Sequence, residues 1–283
     1  MKINYFSLAH ITYIAIALAS VFLLYKFLRK RSYAFQRNFI LTLIILNVFQ
    51  HLFKLEIYPM YDGGFSALCT AYNMCAVLIL SSPIAHFVKW PPLRDFLYYV
   101  GSVAGFIAIL IPYWNIGEDA FTWSFFRFFI CHLLLFVTSL LPLLLSHHKP
   151  SWKCFWRIGI GFFIALLLIL INDVLCLYLD IYAGLSKNDV WGSLAIANPC
   201  WTFGPPESFS FVLDIVNVFS PDYFVFGGKG GAPIPILWYL IPLYIGITLV
   251  SFPICALFDK ENFKADMKRY KTSLKELFGK KGK

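Results

Sequence analysis

The stretch IGIGFFIALLLILINDVLCLYL, residues 158–179, determines the fold class of this chain. A helix needs about 20 mostly apolar residues to cross the hydrocarbon core of a bilayer. This stretch is long enough, and its only strongly polar side chains are Asn172 and Asp173. It therefore predicts a transmembrane helix that carries two polar groups within its apolar run.

Six further stretches follow the same pattern. The chain has 283 residues, of which 59% are hydrophobic and 14% are charged, whereas a soluble domain has about 25% charged residues. We predict an all-α, polytopic membrane bundle of seven transmembrane helices in one domain, residues 1–257, with a long outer loop at about 183–233. The predicted helices cover residues 7–27, 38–58, 64–88, 96–114, 122–146, 155–182 and 234–257.

The charges predict the orientation of the bundle. Lys and Arg concentrate in the first, third and fifth loops and after residue 257, whereas the fourth loop has only Glu118 and Asp119. The positive-inside rule then places the N-terminus outside and the C-terminus in the cytoplasm. The tail, residues 258–283, is predicted to be a basic amphipathic helix that contacts anionic headgroups. The net charge of +9 is thus explained without nucleic-acid binding.

Polar side chains within the apolar stretches mark a candidate site, because such groups are costly in hydrocarbon. Given the predicted orientation and a rise of about 1.5 Å per residue, they all fall in the outer half of the membrane. If the predicted third helix is continuous, Cys69 and Asn73 lie on one face of it, because they are four residues apart. The six residues are His51, Cys69, Asn73, His132, Asn172 and Asp173.

A thiol and an imidazole at one depth point to nucleophilic chemistry. A thiolate attacks, and a nearby imidazole lowers the cost of forming it. Cys131 and His132 are adjacent and point about 100° apart on a helix, so we expect the pair to form between helices, from Cys69 and His132. Asn73 or Asn172 could donate to an oxyanion, and Asp173 could orient the imidazole.

Structural explanations remain open for several of these groups. His51 fits a hydrogen-bonded interior histidine, and Asn73 fits a bond between helices. Asp173 could pair with Arg127, which could instead extend to the interface. The seven cysteines include no CxxC motif, so the sequence predicts neither a disulfide framework nor a metal site, and we expect no cofactor.

Two short motifs resemble a known family. The stretch FSALC ends at Cys69, and FFICH ends at His132. They are similar to motifs of the YwaF-like family of integral membrane proteins, which includes transmembrane protein 164 of animals. The stretch before Cys69 has Ser66 and Ala67 and lacks the proline and histidine of the family's LPLHLC-like motif.

This resemblance implies an acyltransferase that moves a fatty acyl group between phospholipids through an acyl-cysteine. Cys69 would be the nucleophile and His132 the base, with membrane lipids as acyl donor and acceptor. Two alternatives stay open: a lipid hydrolase with the same residues, and a transporter or receptor in which His51, His132 and Asp173 line a path. The sequence fits a bacterial plasma membrane or a eukaryotic endomembrane equally.

Overall fold

A computed structural model describes residues 2–57, 66–182, 184–205 and 209–279. These residues form an all-α structure without a strand; the ends of the bundle carry one isolated bridge, Lys2 to Asp119. Its helices are α1 Leu8–Leu28, α2 Tyr33–Leu52, α3 Lys54–Ile57, α4 Met74–Phe87, α5 Pro91–Leu110, α6 Trp123–Leu144, α7 Trp156–Tyr178, α8 Val190–Ala197, α9 Phe211–Asn217, α10 Asp222–Phe226, α11 Leu237–Phe258 and α12 Lys260–Gly279.

Five of the described helices are long and apolar enough to cross a membrane, namely α1, α5, α6, α7 and α11. The protein is therefore a multi-pass membrane protein. Two further predicted spans also contain helices but differ in kind. α2 has 20 residues and a more polar composition. α4 is apolar but has 14 residues, or roughly 21 Å of helix, against a hydrocarbon core of about 30 Å.

The prediction of one continuous helix over 64–88 is wrong in its first half. Residues 64–65 lie outside the described part of the chain, and a short 3₁₀ turn, Ala67–Cys69, then precedes α4. Asn73 is extended and its side chain caps α4 by accepting from the Ala76 N–H. A residue with this conformation ends any helix before it. Cys69 and Asn73 therefore do not share a helix face.

Helices α5 and α6 form the closest pair in the bundle. At Gly105 a β-carbon would lie 2.6 Å from the backbone nitrogen of Phe136, and at Gly101 it would meet the Ser139 side chain. Small residues four apart let two helix backbones approach in lipid, where packing drives association. This contact fixes the rotation of α6 and turns Cys131 towards the protein interior.

The main core lies between α4, α5, α7 and α11, and is built from aliphatic and aromatic side chains such as Leu78, Phe96 and Ile169. The long connection between α7 and α11 folds over one end of this core as α8, α9 and α10. The region predicted as a long outer loop thus contains short helices, of which α9 has seven residues. The sequence GGKGG in this connection forms a turn in which Gly230 has a φ of +72°.

The C-terminal helix α12 folds back onto the bundle. The Asp266 carboxylate accepts from the Trp152 indole N–H at 3.1 Å and pairs with Lys153 at 2.8 Å. The Trp152 ring also meets Phe263 edge-on. The hydrogen bond from Lys153 holds the pKa of Asp266 below its usual range. The tail helix is thus attached at one defined point, and its cytoplasmic position stays a prediction.

We expect Asp266→Asn to release α12 from the bundle. The variant loses the charge that pairs with Lys153, so limited trypsin digestion should cleave the lysine-rich tail severalfold faster than in the unchanged protein. Glu261→Gln is the matched control, because it removes one negative charge from the first turn of the same helix. Equal cleavage rates for the two variants would contradict this attachment.

Candidate functional site

Residues 66–73, which precede α4 and which we call the cysteine-bearing turn, are the centre of a polar cluster. Thr70 follows Cys69 directly, and its carbonyl accepts from His51 Nε2 at 3.0 Å. Its hydroxyl accepts from Asn172 Nδ2 at 2.9 Å and lies 3.8 Å from Cys176 Sγ. Side chains from α2 and α7 therefore converge on one residue of the turn. His51 and Asn172 were predicted from sequence to lie at a similar depth, whereas Thr70, which they both contact, was not predicted.

Cys69 is the last residue of the 3₁₀ turn, and its side chain is 2% exposed. The Lys54 ammonium donates to the carbonyl of Leu68 and lies within electrostatic range of the Cys69 and Cys131 thiols. A cation near a buried thiol lowers the cost of forming the thiolate. Sequence reasoning missed Lys54, although a lysine inside the predicted second span was a visible signal.

His132 lies on α6 in the same half of the bundle. Its Nδ1 donates to the Phe128 carbonyl at 2.8 Å, and its ring packs against the Phe128 ring with centroids 4.4 Å apart. This bond leaves Nε2 as the basic nitrogen of the ring. The hydrogen bonds of the described residues do not join His132 to Cys69. The imidazole that contacts the cysteine-bearing turn is that of His51.

α2 also holds α6 through polar contacts. Asn47 Nδ2 donates to the Cys131 carbonyl at 3.3 Å, and Gln50 Nε2 donates to Asn47 Oδ1 at 2.7 Å. These side chains are buried. They align α6 with the cysteine-bearing turn, because both elements are bonded to the last two turns of α2.

Asp173 is fully buried on α7. Its Oδ1 accepts from the Tyr182 hydroxyl at 2.8 Å, and burial together with this carboxylate raises the pKa of Tyr182. The described hydrogen bond of Asp173 thus joins α7 to the segment that follows it. They include neither an imidazole nor the guanidinium of Arg127, which were the two contacts expected from sequence.

Asn73 has a structural contact of its own. Its Oδ1 accepts from the Ala76 N–H at 2.9 Å and caps α4. An N-cap side chain of this kind satisfies one of the free N–H groups of a helix start. The described geometry therefore assigns Asn73 to the start of the helix, beside the cysteine-bearing turn.

An apolar cavity of about 350 Å³ lies next to the start of α4, between α7, α9 and α11. Met74 and Cys200 lie in its wall with Leu166, Val216 and Trp238. The backbone N–H of Met74 faces the Cys200 thiol, and burial raises the pKa of Cys200 to about 11. The cavity was not predictable from sequence, because its walls come from segments far apart in the chain.

No group of three or more His, Cys, Asp or Glu side chains within the described ranges could hold a metal ion. The site contains a thiol, two imidazoles, an ammonium and amide groups. Together with the apolar helices, this defines a multi-pass membrane protein with a cysteine-bearing polar cluster inside the bundle.

The chain belongs to the TMEM164 family, whose pattern matches residues 5–184. This confirms the resemblance to transmembrane protein 164, whereas membership of a wider YwaF-like family stays a prediction. The match spans α1 to α7 and includes all six polar residues singled out from sequence, whereas α8 to α12 lie beyond it. Neither the curated proteins nor the solved structures provide a match.

We expect Thr70 and Asn172 to be energetically coupled. The loss of stability in the double variant Thr70→Val with Asn172→Ala should differ from the sum of the two single losses by roughly 0.6 to 1.7 kcal/mol. These are the average and the largest coupling energies found for hydrogen bonds in a membrane helix bundle. Thermal unfolding of the single and double variants measures it. The pair Thr138→Val and Asn172→Ala is the control and should be additive, since the Thr138 hydroxyl bonds to Leu134 on its own helix. Additivity in both pairs would contradict the coupling.

Proposed function

We propose that this protein is a membrane acyltransferase that moves a fatty acyl group between phospholipid-type lipids through an acyl-cysteine at Cys69. The observation that carries the proposal is the position of this buried thiol, on a non-helical turn whose Leu68 carbonyl accepts from the Lys54 ammonium. Membership of the TMEM164 family and the FSALC motif add the expectation taken from the resemblance.

The reaction has two steps. In the first, the Cys69 thiolate attacks the ester carbonyl of a donor lipid, and the ester C–O bond breaks to give a thioester and a lyso-lipid alkoxide, which takes up a proton. In the second, the hydroxyl of an acceptor lipid loses a proton and attacks the thioester, and the thiolate leaves. An oxyanion forms in each step and needs hydrogen-bond donors around it.

We assign the proton transfers to His132 and a positioning role to His51. His132 has a free Nε2, because its Nδ1 is bound to Phe128. His51 uses Nε2 to hold the Thr70 carbonyl, so it acts on Cys69 through the turn. Lys54 then stabilises the thiolate. The transfer requires His132 and Cys69 to come within hydrogen-bond reach when lipid binds, since unliganded sites are often looser than reacting ones.

The apolar cavity suits the acyl chain. It is lined by carbon-rich side chains and begins at Met74, five residues beyond Cys69. At about 350 Å³ it falls within the range of about 300 to 1,000 Å³ that is typical of small-molecule sites. An acyl chain bound there would have its carbonyl end on the side of the cysteine-bearing turn.

We further propose seven membrane spans with the N-terminus outside. α2 and α4 would complete the bundle, because α2 packs on α4 and α6 and α4 is surrounded by core residues. The cluster around Thr70 would then lie in the outer half, and the attachment point of α12 on the cytoplasmic side. The distribution of Lys and Arg among the loops supports this orientation.

Cys69→Ala should abolish acylation of the purified protein. The measurement is incorporation of a labelled acyl chain from a donor phospholipid, with hydroxylamine release as the test for a thioester. Cys75→Ala and Cys154→Ala are the matched controls, because each removes one free, partly buried thiol of the same chain, and both should stay labelled. Labelling of the Cys69 variant at the normal level would sink the proposal.

The acceptor distinguishes a transferase from a hydrolase. With a lyso-lipid present, the transferase gives labelled phospholipid, whereas a hydrolase gives labelled free fatty acid at the same rate with or without lyso-lipid. Exclusive release of fatty acid, still dependent on Cys69, would keep the nucleophile and replace the transferase by the hydrolase.

The two histidines should behave differently. His132→Asn should lower the rate of acylation by roughly 10² to 10⁴, the usual contribution of a general acid–base, with an unchanged unfolding temperature. His51→Gln should retain most of the rate, since the glutamine amide can still donate to the Thr70 carbonyl, whereas His51→Ala should lose rate and thermal stability together. A full rate in His132→Asn with a large loss in His51→Gln would reassign the base to His51.

A further inference from the structure

A second group of polar side chains lies at the opposite end of the bundle from Cys69. It lines a small pocket between the start of α2, the end of α4, the start of α5 and the loop after α6. We call it the basic pocket. The cationic and imidazole side chains that line it are Arg37, His86, Lys89, Arg94 and His147.

The basic pocket has an excess of positive charge. Its lining includes two arginines and one lysine, and no carboxylate is among its lining residues. The nearby Asp95 is engaged by His148 at 2.6 Å. In the described part of the chain, Arg37 and Lys89 form no ion pair. The Arg37 guanidinium lies over the face of the Phe87 ring, 5.9 Å from its centroid. Unpaired cations that converge on one space favour an anion there.

Arg94 is held rigidly at the edge of this pocket. Its Nε donates to the Ala85 carbonyl at 2.9 Å and its Nη2 donates to the His86 carbonyl at 3.1 Å. The guanidinium therefore satisfies the free carbonyls at the end of α4. Because a guanidinium carries five N–H donors, it keeps further donors for a ligand.

His86 supplies an observation independent of the charges. Its side chain is only 6% exposed, yet its Nε2 is buried without a hydrogen-bond partner within the described structure. Buried polar atoms normally have a partner. The imidazole lines the basic pocket, so an anion bound there would accept from this nitrogen. His147, in contrast, already contacts Gln36 Oε1 at 2.6 Å.

We propose that the basic pocket binds the phosphate group of an anionic lipid. Phosphate suits the site because guanidinium and ammonium groups bind its oxygens through charge-assisted hydrogen bonds. The surroundings favour a lipid as the source, since Phe87 and Trp90 expose apolar side chains beside the pocket. The site is separate from the proposed acyl transfer, and its occupant need not be a substrate.

The test uses the full-length protein in nanodiscs of phosphatidylcholine, with and without phosphatidic acid, and thermal unfolding as the measurement. A ligand that binds the folded state raises the unfolding temperature. We expect phosphatidic acid to raise it by several degrees in the unchanged protein. Inorganic phosphate, added to phosphatidylcholine nanodiscs, tests whether a free anion produces the same shift.

The variant Arg37→Gln with Lys89→Gln should lose the shift that phosphatidic acid causes. The matched control is Arg29→Gln with Lys30→Gln, which removes the same two charge types from exposed positions outside the pocket and should keep the shift. If the double variant fails to fold, the single Arg37→Gln variant is used instead, and it should show a smaller shift than the unchanged protein. Acyl labelling at Cys69 should persist in all of them, so failure here is distinguishable from failure of the proposed function.

Three outcomes would overturn the proposal. One is the absence of any shift with phosphatidic acid in the unchanged protein. Another is an equal loss of the shift in the pocket and control variants, which would reduce the effect to general charge. The third is a full shift with inorganic phosphate alone, which would replace the lipid by a free anion.

Discussion

The hydrogen bonds to the turn before α4 are the constraint on which the rest of the structure depends. Non-helical backbone inside a membrane bundle exposes N–H and C=O groups that hydrocarbon cannot satisfy. Here the Thr70 carbonyl and hydroxyl are bound by His51 and Asn172, and the Leu68 carbonyl is bound by Lys54. The polar side chains of α2, α3 and α7 are therefore needed wherever this turn exists.

This constraint explains how the polar residues serve two purposes. A continuous helix would have satisfied its own backbone, and the donors around Thr70 would then have been costly in hydrocarbon. The interrupted segment instead places Cys69 on a short turn that is held from two sides. Broken backbone at membrane depth is tolerated where it is buried in protein or lines a cavity; Cys69 is buried, and the apolar cavity reaches Met74 at the start of α4.

Sequence reasoning predicted the all-α membrane class and named His51 and Asn172 together with Cys69, but it could not predict that these two side chains converge on Thr70. Long apolar runs such as 158–179 predict helices reliably because nothing else satisfies the backbone in lipid. The break before α4 was signalled by Ser66 and Asn73, which are both good caps, but the apolar content of 64–88 outweighed them.

Side-chain contacts depend on how each helix is rotated, and distant residues set that rotation. At Gly105 the backbone of α5 comes close to that of α6, and this contact fixes which side chains of α6, such as the buried Cys131, face the other helices. The sequence around His132 does not indicate that Gly105, on another helix, packs against α6. For the same reason, the sequence did not indicate that His51, which also fitted a structural interior histidine, is bonded to the residue next to Cys69.

The two ends of the bundle differ in a way that fits separate tasks. Around Thr70 the groups are mainly neutral donors and acceptors, and the Lys54 ammonium donates to the nearby Leu68 carbonyl. At the basic pocket, arginine and lysine have no carboxylate among the lining residues. Neutral donors suit an oxyanion that exists only transiently, whereas a permanent excess of cations suits a ligand that keeps its charge.

The backbone around the two thiols favours Cys69 over Cys131 as the nucleophile. Both side chains are buried, and Lys54 is within electrostatic range of each. Cys131 lies inside α6, where the backbone N–H groups are already bonded to carbonyls one turn back. Cys69 ends a 3₁₀ turn and is followed by the extended Thr70, so the backbone around it is not part of a continuous helical ladder. This difference in backbone favours Cys69 as the site of acylation.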